Sequence, residues 1–399
     1  MKERKLSPNA ITAFLMLGYT IIYMDKTVIG TALIPIAAAY HLTSTQTGLI
    51  VSLFFLGYSL MQIPLGYLAD RVGYKPVLMI SLSGCIVFTL LFGLAGAFPL
   101  FLSVRFFMGV SDAGYPSSSA KSVALNYPVE KRPFAQSLLL STGGIGGICA
   151  ALIGVNMIGA HGWRSIYLLM AGMFALALLG ILLFLPNRRS DSAESGDRIR
   201  LRDVVGRRSV WFIFFAMMSY NIVIYSLNTW MPSFVVKTFH LRLSQISPLI
   251  AAAALLGVCG ALLAGKLFGR FIGREKPMLL GIAVTLAALL AVASVTRRYA
   301  AVCVLLSVSV FVCELLFVGL FTWPHKILDK KIIGSSIGVI NTGGTLGGFI
   351  GPTLFGAVID SSGGSFVPAF IGMGVFALAA GLLAQFVVNT RPDDEMEKA

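Results

Sequence analysis

Long apolar segments recur along the whole 399-residue chain, and they constrain its fold more than any other feature. A helix rises ~1.5 Å per residue, so a run of about 20 apolar residues crosses the ~30 Å hydrocarbon core of a bilayer. These runs are continuously apolar, whereas the strands of a membrane β-barrel alternate apolar and polar residues. With 57% hydrophobic residues, 12% charged residues and a mean hydropathy of +0.85, the chain lacks the polar shell of a soluble domain. The sequence therefore predicts an all-α membrane protein.

Twelve transmembrane helices are predicted, in two groups of six. The first group is expected at about 10–34, 46–67, 77–97, 100–125, 134–158 and 164–185. The second is expected at about 210–235, 246–268, 277–296, 299–322, 333–358 and 365–388. A highly charged segment between the groups cannot cross the membrane. We therefore predict an N-terminal six-helix bundle over 1–186, a cytoplasmic linker over 187–208, and a C-terminal six-helix bundle with a short cytoplasmic tail over 209–399.

The two groups resemble each other in sequence. The run STGGIGG at 141–147 is repeated as NTGGTLGG at 341–348, and GYLADRVGYKP at 66–76 is repeated loosely as GKLFGRFIGREKP at 265–277. Six spans per group give both groups the same orientation, so the repeats are related by an axis along the membrane normal. We expect pseudo-symmetric bundles, with the substrate site in a cavity between them.

The net charge of +14 reflects membrane topology. Most of the 31 Lys and Arg residues fall on the side that carries the N-terminal segment, the central linker and the C-terminal tail. By the positive-inside rule, both termini are expected in the cytoplasm. The bilayer, and not a nucleic acid, is therefore the partner that the basic residues predict.

An acid and a base lie side by side within the first apolar run, at Asp25 and Lys26. Each such charge at a helix centre costs on the order of 3 kcal/mol, so neither is expected to face lipid. Adjacent helical residues diverge by ~100°, so these two side chains do not readily pair with each other. Two interpretations are open, a structural ion pair with another helix and a substrate or proton pathway.

Span four carries the second set of charges. Arg105 and Asp112 are seven residues apart, which places them on one helical stripe, and Arg105 lies nearer the outer end. We expect an incoming proton or anion to meet Arg105 first. The helix should continue past Pro116 with a bend. Lys121 lies on the opposite face and is expected to extend to the cytoplasmic edge.

The loop after span two carries a recognisable motif. Five of its residues follow the pattern G-x-x-x-D-R-x-G-x-[RK], which resembles the signature loop of the major facilitator superfamily: Gly66, Asp70, Arg71, Gly73 and Lys75. The charges of this loop can clamp a neighbouring helix end and so hold one conformation. In the second copy Gly269 replaces the aspartate, so we expect a weaker clamp there.

Within that superfamily, the chain is similar to the anion:cation symporters, which carry sugar acids and related carboxylates with protons. Tyr23-Met24-Asp25-Lys26 resembles the N-Y-x-D-R pattern of their first helix, and Arg105, Gly109, Asp112 and Ala113 resemble R-x-x-x-G-x-x-E-A of their fourth. Lys26 replaces the family arginine, and Asp112 replaces its glutamate. Lysine is a compact point charge, which suits a small carboxylate or hydroxy acid.

Candidate site residues follow from these patterns and from the resemblance. Substrate binding is predicted for one set of cationic, phenolic and amide side chains: Lys26, Arg105, Tyr23, Tyr58, Tyr225, Asn228 and Asn341. The tyrosines and asparagines can equally form packing hydrogen bonds between helices. Proton coupling is predicted for Asp25, Asp112 and Glu314, although Glu314 can also serve as a partner for a helix end.

The predicted function is proton-coupled symport of a small organic anion, a sugar acid or other carboxylate, by alternating access. The alternative is a proton-coupled antiporter that exports a drug or metabolite, although span five lacks the G-P-x-x-G-G run of antiporters in the superfamily. A sensor or lipid-binding membrane protein is a third, weaker hypothesis. The sequence shows no nucleophile, cofactor or metal constellation, so we expect no enzyme, no cofactor and no metal. We expect a monomer in the inner membrane of a bacterium.

Overall fold

The computed structural model describes residues 8–128, 131–186, 206–271, 273–328 and 333–387, with the side chains at 8–10, 133 and 333–335 left undescribed. Regular structure in these ranges is helical. The first half contains eight helices in the described residues: α1 (Pro8–Ala39), α2 (Ser44–Val72), α3 (Tyr74–Leu94), α4 (Phe98–Asp112), α5 (Gly114–Asn126), α6 (Arg132–Cys149), α7 (Asn156–His161) and α8 (Trp163–Phe184). A π-helical turn, Ala150–Val155, joins α6 to α7 without a break.

The second half repeats this plan. Its helices within the described ranges are α9 (Arg208–Phe239), α10 (Ser247–Arg270), α11 (Glu275–Val295), α12 (Tyr299–Thr322), α13 (Pro324–Ile327), α14 (Ile333–Ser361) and α15 (Val367–Gln385). A short 3-10 turn, Leu243–Ile246, precedes α10.

Eleven helical segments in the described ranges are long and apolar enough to cross a membrane. The remaining predicted span, 100–125, consists of α4 and α5, which are separated at Ala113. Pro116 explains this interruption, because it has no N–H to donate to the carbonyl of Asp112 four residues earlier. Ala113 nevertheless keeps helical dihedral angles, with φ of −58° and ψ of −25°, and its N–H bonds the Gly109 carbonyl, so the fourth span continues past Pro116 as expected. The all-helical, multi-span fold expected from the sequence is also confirmed.

The chain divides into two compact units. The first is Met1–Ser195 with His240–Ala251, and the second is Gly196–Phe239 with Ala252–Ala399. The predicted boundary falls within 187–208, most of which lies outside the described residues. Residues 240–251 group with the first unit and not with the second half of the sequence. One reason is that the Ser247 hydroxyl donates a 2.6 Å hydrogen bond to the Ala151 carbonyl.

The internal repeat extends to local backbone geometry. His41 follows α1 and His240 follows α9, and both adopt the left-handed conformation, with φ of 51° and 52°. This conformation ends a helix and usually requires glycine or asparagine. The helix that follows is also capped alike in the two halves, because Gln46 and Gln245 each accept a hydrogen bond from the backbone N–H three residues earlier.

Glycine runs set the spacing between helices within each unit. A Cβ at Gly146 on α6 would lie 2.7 Å from the Thr20 carbonyl oxygen of α1. In the second unit, a Cβ at Gly351 on α14 would lie 2.7 Å from the Ile222 carbonyl oxygen of α9. Close helix packing therefore explains the small residues at these positions, as it does in other membrane helices.

Candidate functional site

Two ion pairs join α1 to α4 in the first unit. Arg105 Nη1 lies 2.7 Å from Asp25 Oδ2, and Lys26 Nζ lies 2.7 Å from Asp112 Oδ2. The neighbours Asp25 and Lys26 thus point to different partners, as their divergence of ~100° on the helix requires. Both partners lie on one stripe of α4, seven residues apart. The structure therefore brings together four of the five charged residues that the sequence placed within the first and fourth spans, and Lys121 lies apart from them.

The two pairs differ in exposure. In the Arg105–Asp25 pair each side chain is 2% exposed, whereas in the other pair Lys26 is 15% exposed and Asp112 is 2% exposed. The expectation that an incoming anion meets Arg105 first is therefore wrong for this structure, because Arg105 is enclosed and its charge is already balanced. Lys26 is the cation of the cluster that retains contact with the surroundings.

Three aromatic rings lie close to Lys26. Its ammonium nitrogen lies 5.4 Å from the ring centroid of Tyr23, 5.5 Å from that of Phe54 and 5.0 Å from that of Tyr58. Ring faces attract cations, and they also exclude water from around the charge. The predicted positions Tyr23 and Tyr58, on α1 and α2, are thus both brought to Lys26, and both are half-buried.

Several polar atoms of this cluster have unused hydrogen-bonding capacity. Among the described residues, Asp25 Oδ1, Asp112 Oδ1 and Arg105 Nε are buried without a hydrogen-bond partner. A cavity of about 10 Å³, the size of one water molecule, separates the two aspartates. Its lining is otherwise apolar and consists of Ile22, Phe54, Cys85, Met108 and Phe174. The ion pairs therefore leave each carboxylate with one oxygen available to a proton or a small polar ligand.

The second unit contains Glu314 on α12, where that helix crosses α10. A Cβ at Gly260 would lie 3.2 Å from Glu314 Cβ, and one at Gly257 would lie 3.6 Å from its Cγ. None of the ion pairs found in the described ranges includes Glu314. The idea that this carboxylate serves a helix end gains no support from these contacts, and its role in proton coupling stays a prediction.

The other predicted positions of the second unit are half-buried. These are Tyr225 and Asn228 on α9 and Asn341 on α14. Asn221 lies four residues before Tyr225 on α9 and has a structural contact of its own. Its amide donates to the Met217 carbonyl and packs against Gly344 and Gly347. Asn221 therefore supports helix packing, while substrate binding by the other three stays a prediction.

The motif residues of the first unit lie at the end of α2, at Gly73 and at the start of α3, and they join α2 to α5 and α3 to α8. Asp70 pairs with Lys121 of α5 at 2.6 Å, and the same ammonium donates to the Ala69 carbonyl at 2.9 Å. Lys75 donates to the Leu182 carbonyl near the end of α8 at 3.0 Å, and Arg71 lies over the ring of Tyr67. The ion pair that the structure shows for Asp70 is thus with Lys121, on a neighbouring helix.

The two glycines of the motif have different roles. Gly73 separates α2 from α3 with a φ of 93°, a conformation that side-chain-bearing residues rarely adopt. At Gly66 an added Cβ would make only ordinary contacts, 3.8 Å from Ser117. The backbone geometry therefore requires glycine at 73 and not at 66.

The second unit contains an equivalent arrangement, in which the acid comes from a different position in the sequence. Lys326 donates to the Phe268 carbonyl at 2.7 Å and lies 3.0 Å from Glu275 Oε1. Lys276 donates to the Gln385 carbonyl at the end of α15, at 2.9 Å. This contact corresponds to the one that Lys75 makes with the Leu182 carbonyl near the end of α8. Gly269 has replaced the aspartate, but Glu275 supplies a carboxylate to the same lysine. Sequence analysis missed Lys326 and Glu275, because the offset between the repeats carries Lys121 to Leu320 or Phe321 and not to Lys326.

Comparison with known proteins agrees with this architecture. The family model described as Major Facilitator Superfamily matches residues 15–352, with a further match at 270–399. A solved bacterial homolog of the human lysosomal transporter Spinster has a TM-score of 0.77 at 19% identity, over 95% of this chain and 94% of that one. At this identity the likeness shows the fold alone.

Curated relatives align over nearly the full length. A probable sulfoacetate transporter of Cupriavidus necator is 28% identical over 99% of this chain and 98% of its own. A hexuronate transporter of Bacillus subtilis is 25% identical over 93% of this chain and 92% of its own. A human voltage-gated purine nucleotide uniporter is 23% identical over 89% and 86%.

The family match covers most of the chain, and the helical repeat and the motif loop are those of the matched family. The protein is therefore an integral membrane transporter and not an enzyme. The chain belongs to the Major Facilitator Superfamily.

Proposed function

We propose that this protein is a proton-coupled symporter of a small organic anion that works by alternating access. One observation carries the proposal: the partly exposed Lys26 is the cation of an ion pair whose acid, Asp112, is buried. An anion that binds Lys26 must compete with Asp112 for the same ammonium. Substrate binding and the charge state of Asp112 are then linked.

The relatives support an anionic substrate. Their names specify sulfoacetate, hexuronate and galactarate or D-glucarate, which are all anions at neutral pH. Lys26 offers one compact charge, and the phenols of Tyr23 and Tyr58 lie beside it. A compact positive charge beside two tyrosines suits a carboxylate or sulfonate group on a small molecule.

The coupling follows from the cost of a buried charge. If substrate draws the ammonium of Lys26 away, the Asp112 carboxylate is left in an apolar environment, and such a group takes up a proton instead of remaining charged. Protonation of Asp112 in turn frees Lys26 for the anion. Each ligand therefore strengthens binding of the other, which is the thermodynamic requirement for symport.

The Arg105–Asp25 pair has a different proposed part. Both side chains are enclosed, so Arg105 holds the charge of Asp25 without contact with a ligand in this structure. The free oxygen of Asp25 lines the same small cavity as Asp112. We infer that Asp25 is a second proton site, with Arg105 as its positioning residue.

Uptake by purified protein in liposomes tests the proposal. Sulfoacetate, glucuronate and glucarate are offered with the pH lower outside, and we expect the substrate to accumulate until the proton gradient is collapsed. Asp112→Asn should abolish accumulation, because the carboxylate that takes up the proton is lost. Exchange of labelled for unlabelled substrate should continue, because Lys26 can still bind the anion. Asp360→Asn, an exposed aspartate at the end of α14, serves as the matched control. Accumulation by the Asp112→Asn protein would contradict proton coupling at this residue.

The human relative gives a specific reason to examine uniport, since its name states transport without a coupled ion. In the same liposomes, applying a membrane potential without a pH difference distinguishes uniport from proton-coupled symport. Accumulation driven by the potential alone, and insensitive to the pH gradient, would indicate uniport. Uptake driven by a gradient of opposite direction would indicate the antiporter alternative.

A further inference from the structure

An apolar groove of about 290 Å³ runs along the second unit, where α10, α11 and α12 meet. It is lined by Leu267 of α10, by Met278, Gly281, Ile282 and Thr285 of α11, and by Val312 and Leu315 of α12. The Thr285 hydroxyl donates to the Gly281 carbonyl of its own helix at 2.9 Å, so it adds no free polar group. The groove is therefore apolar over its whole length.

This groove opens to the outside of the unit. Gly281 and Thr285 are exposed, and a Cβ at Gly281 would have no atom within 4 Å. Nearby side chains such as Leu262 and Val284 are also exposed, at 68% and 50%. Because these helices span the membrane, what surrounds them at this depth is hydrocarbon. The groove accordingly has the character of a site for an acyl chain.

Two arginines extend the walls of the groove at one end. Arg270 follows Leu267 by three residues on α10, and Arg274 precedes Met278 by four at the start of α11. The spacing of three residues places Arg270 on the side of α10 that lines the groove, about one turn beyond it. Arg274 immediately precedes α11, at the end of that helix where Met278 lines the groove. Both side chains are exposed, at the end where α10 and α11 leave the membrane.

Among the residues that the structure describes, neither Arg270 nor Arg274 takes part in an ion pair. Glu275 is the one acid in the segment 265–277, and it is 4% exposed and paired with Lys326. Within the described part of the chain, the two guanidinium groups therefore have no ion-pair partner, and they lie close in sequence to residues that line the groove.

We infer that this groove binds an anionic phospholipid, with its phosphate between Arg270 and Arg274 and one acyl chain along α11 towards Thr285. Guanidinium groups bind phosphate through paired hydrogen bonds, and basic residues at the membrane surface attract anionic headgroups. Neither the groove nor the arginines alone selects such a lipid. Together they match its two chemical parts at the membrane surface.

Native mass spectrometry of the full-length protein in detergent tests the headgroup. Phosphatidylglycerol and phosphatidylcholine of matched acyl chains are titrated separately, and we expect tighter binding of phosphatidylglycerol. The double variant Arg270→Ala/Arg274→Ala should weaken that binding by about 30-fold and remove the preference. The control pair Arg297→Ala/Arg298→Ala, exposed between α11 and α12, should keep it. Equal loss in both double variants would overturn the inference.

A second variant tests the acyl chain with the arginines intact. Gly281→Leu adds an apolar side chain at a position that lines the groove and whose Cβ would have no atom within 4 Å, and it should reduce phosphatidylglycerol binding severalfold. Gly172→Leu on α8, also with no atom within 4 Å of its Cβ, is the matched control. Glycerol 3-phosphate, which lacks acyl chains, should not displace the lipid. Unchanged lipid binding by Gly281→Leu, or displacement by glycerol 3-phosphate, would overturn the inference.

Discussion

Asp25 and Lys26 are neighbours in α1, yet their side chains pair with residues seven positions apart on α4. Asp25 contacts Arg105 and Lys26 contacts Asp112, each at 2.7 Å. The result is two opposite ion pairs across one helix contact, one enclosed and one partly exposed. An incoming anion can therefore disturb the Lys26 pair while the Arg105 pair keeps α1 and α4 in place.

Neutralising Lys26 should destabilise the protein and stop transport. Lys26→Gln leaves the buried Asp112 without its cation, which costs about 3 kcal/mol of unfolding free energy. In Lys26→Gln/Asp112→Asn two amides replace the pair, and stability should return to within about 1 kcal/mol of the parent protein. Thermal unfolding of purified protein measures both effects. Uptake should stay absent in the double variant, so recovered uptake would count against the role of Lys26.

Substitutions in the enclosed Arg105–Asp25 pair should lower the stability of the protein more than substitutions in the partly exposed Lys26–Asp112 pair. Arg105→Gln and Asp25→Asn each leave a lone charge that is 2% exposed, with an expected loss of about 3–5 kcal/mol. The unfolding midpoints of these variants should therefore fall below that of Lys26→Gln. If Arg105→Gln were the milder change, the difference in burial between the two pairs would not govern their stability.

In the second half, the acid that pairs with Lys326 should be able to come from position 275 or from position 269. Glu275→Ala should cost about 1 kcal/mol, because Lys326 is 29% exposed and solvent screens its charge. Gly269 directly follows Phe268, whose carbonyl binds Lys326, just as Asp70 directly follows Ala69. A Cβ at Gly269 meets no atom within 4 Å, so Gly269→Asp is sterically allowed.

We therefore expect Gly269→Asp to restore the unfolding midpoint of Glu275→Ala. The control is Gly265→Asp in the same background, at another open position on α10, which lies one turn away from the lysine contact. Equal recovery from both substitutions would indicate a general charge effect and not a repeated ion pair.

Close contact between α1 and α6 should depend on Gly146. Gly146→Ala places a methyl group 2.7 Å from the Thr20 carbonyl oxygen and 2.8 Å from the Met24 nitrogen, so the helices must separate. The expected cost is about 1–3 kcal/mol, with reduced uptake because α1 carries Lys26. Gly143→Ala on the same helix would meet Tyr23 at an ordinary 3.7 Å and is the control. Similar unfolding midpoints for the two variants would contradict this account.

The repeat explains part of what sequence analysis missed. Lys326 occupies the place of Lys121 in the second half, and both lysines bind a backbone carbonyl at the end of the preceding long helix. Gly269 stands at the position of Asp70 when the two motif copies are aligned, and for this reason the sequence predicts a weaker clamp in the second half. Glu275 lies further along the chain, and only folding of the loop returns its carboxylate to Lys326.

Local sequence was sufficient for the helices, because a bilayer leaves an apolar segment no other way to satisfy its backbone hydrogen bonds. It also showed that Asp25 and Lys26 need different partners, since that follows from helical geometry within one segment. Which partners they take, and that Arg105 rather than Lys26 is enclosed, depends on the rotation and depth of α1 against α4. Those are set by contacts between residues far apart in the chain, such as Gly146 with Thr20, and so they emerge only when the helices pack together.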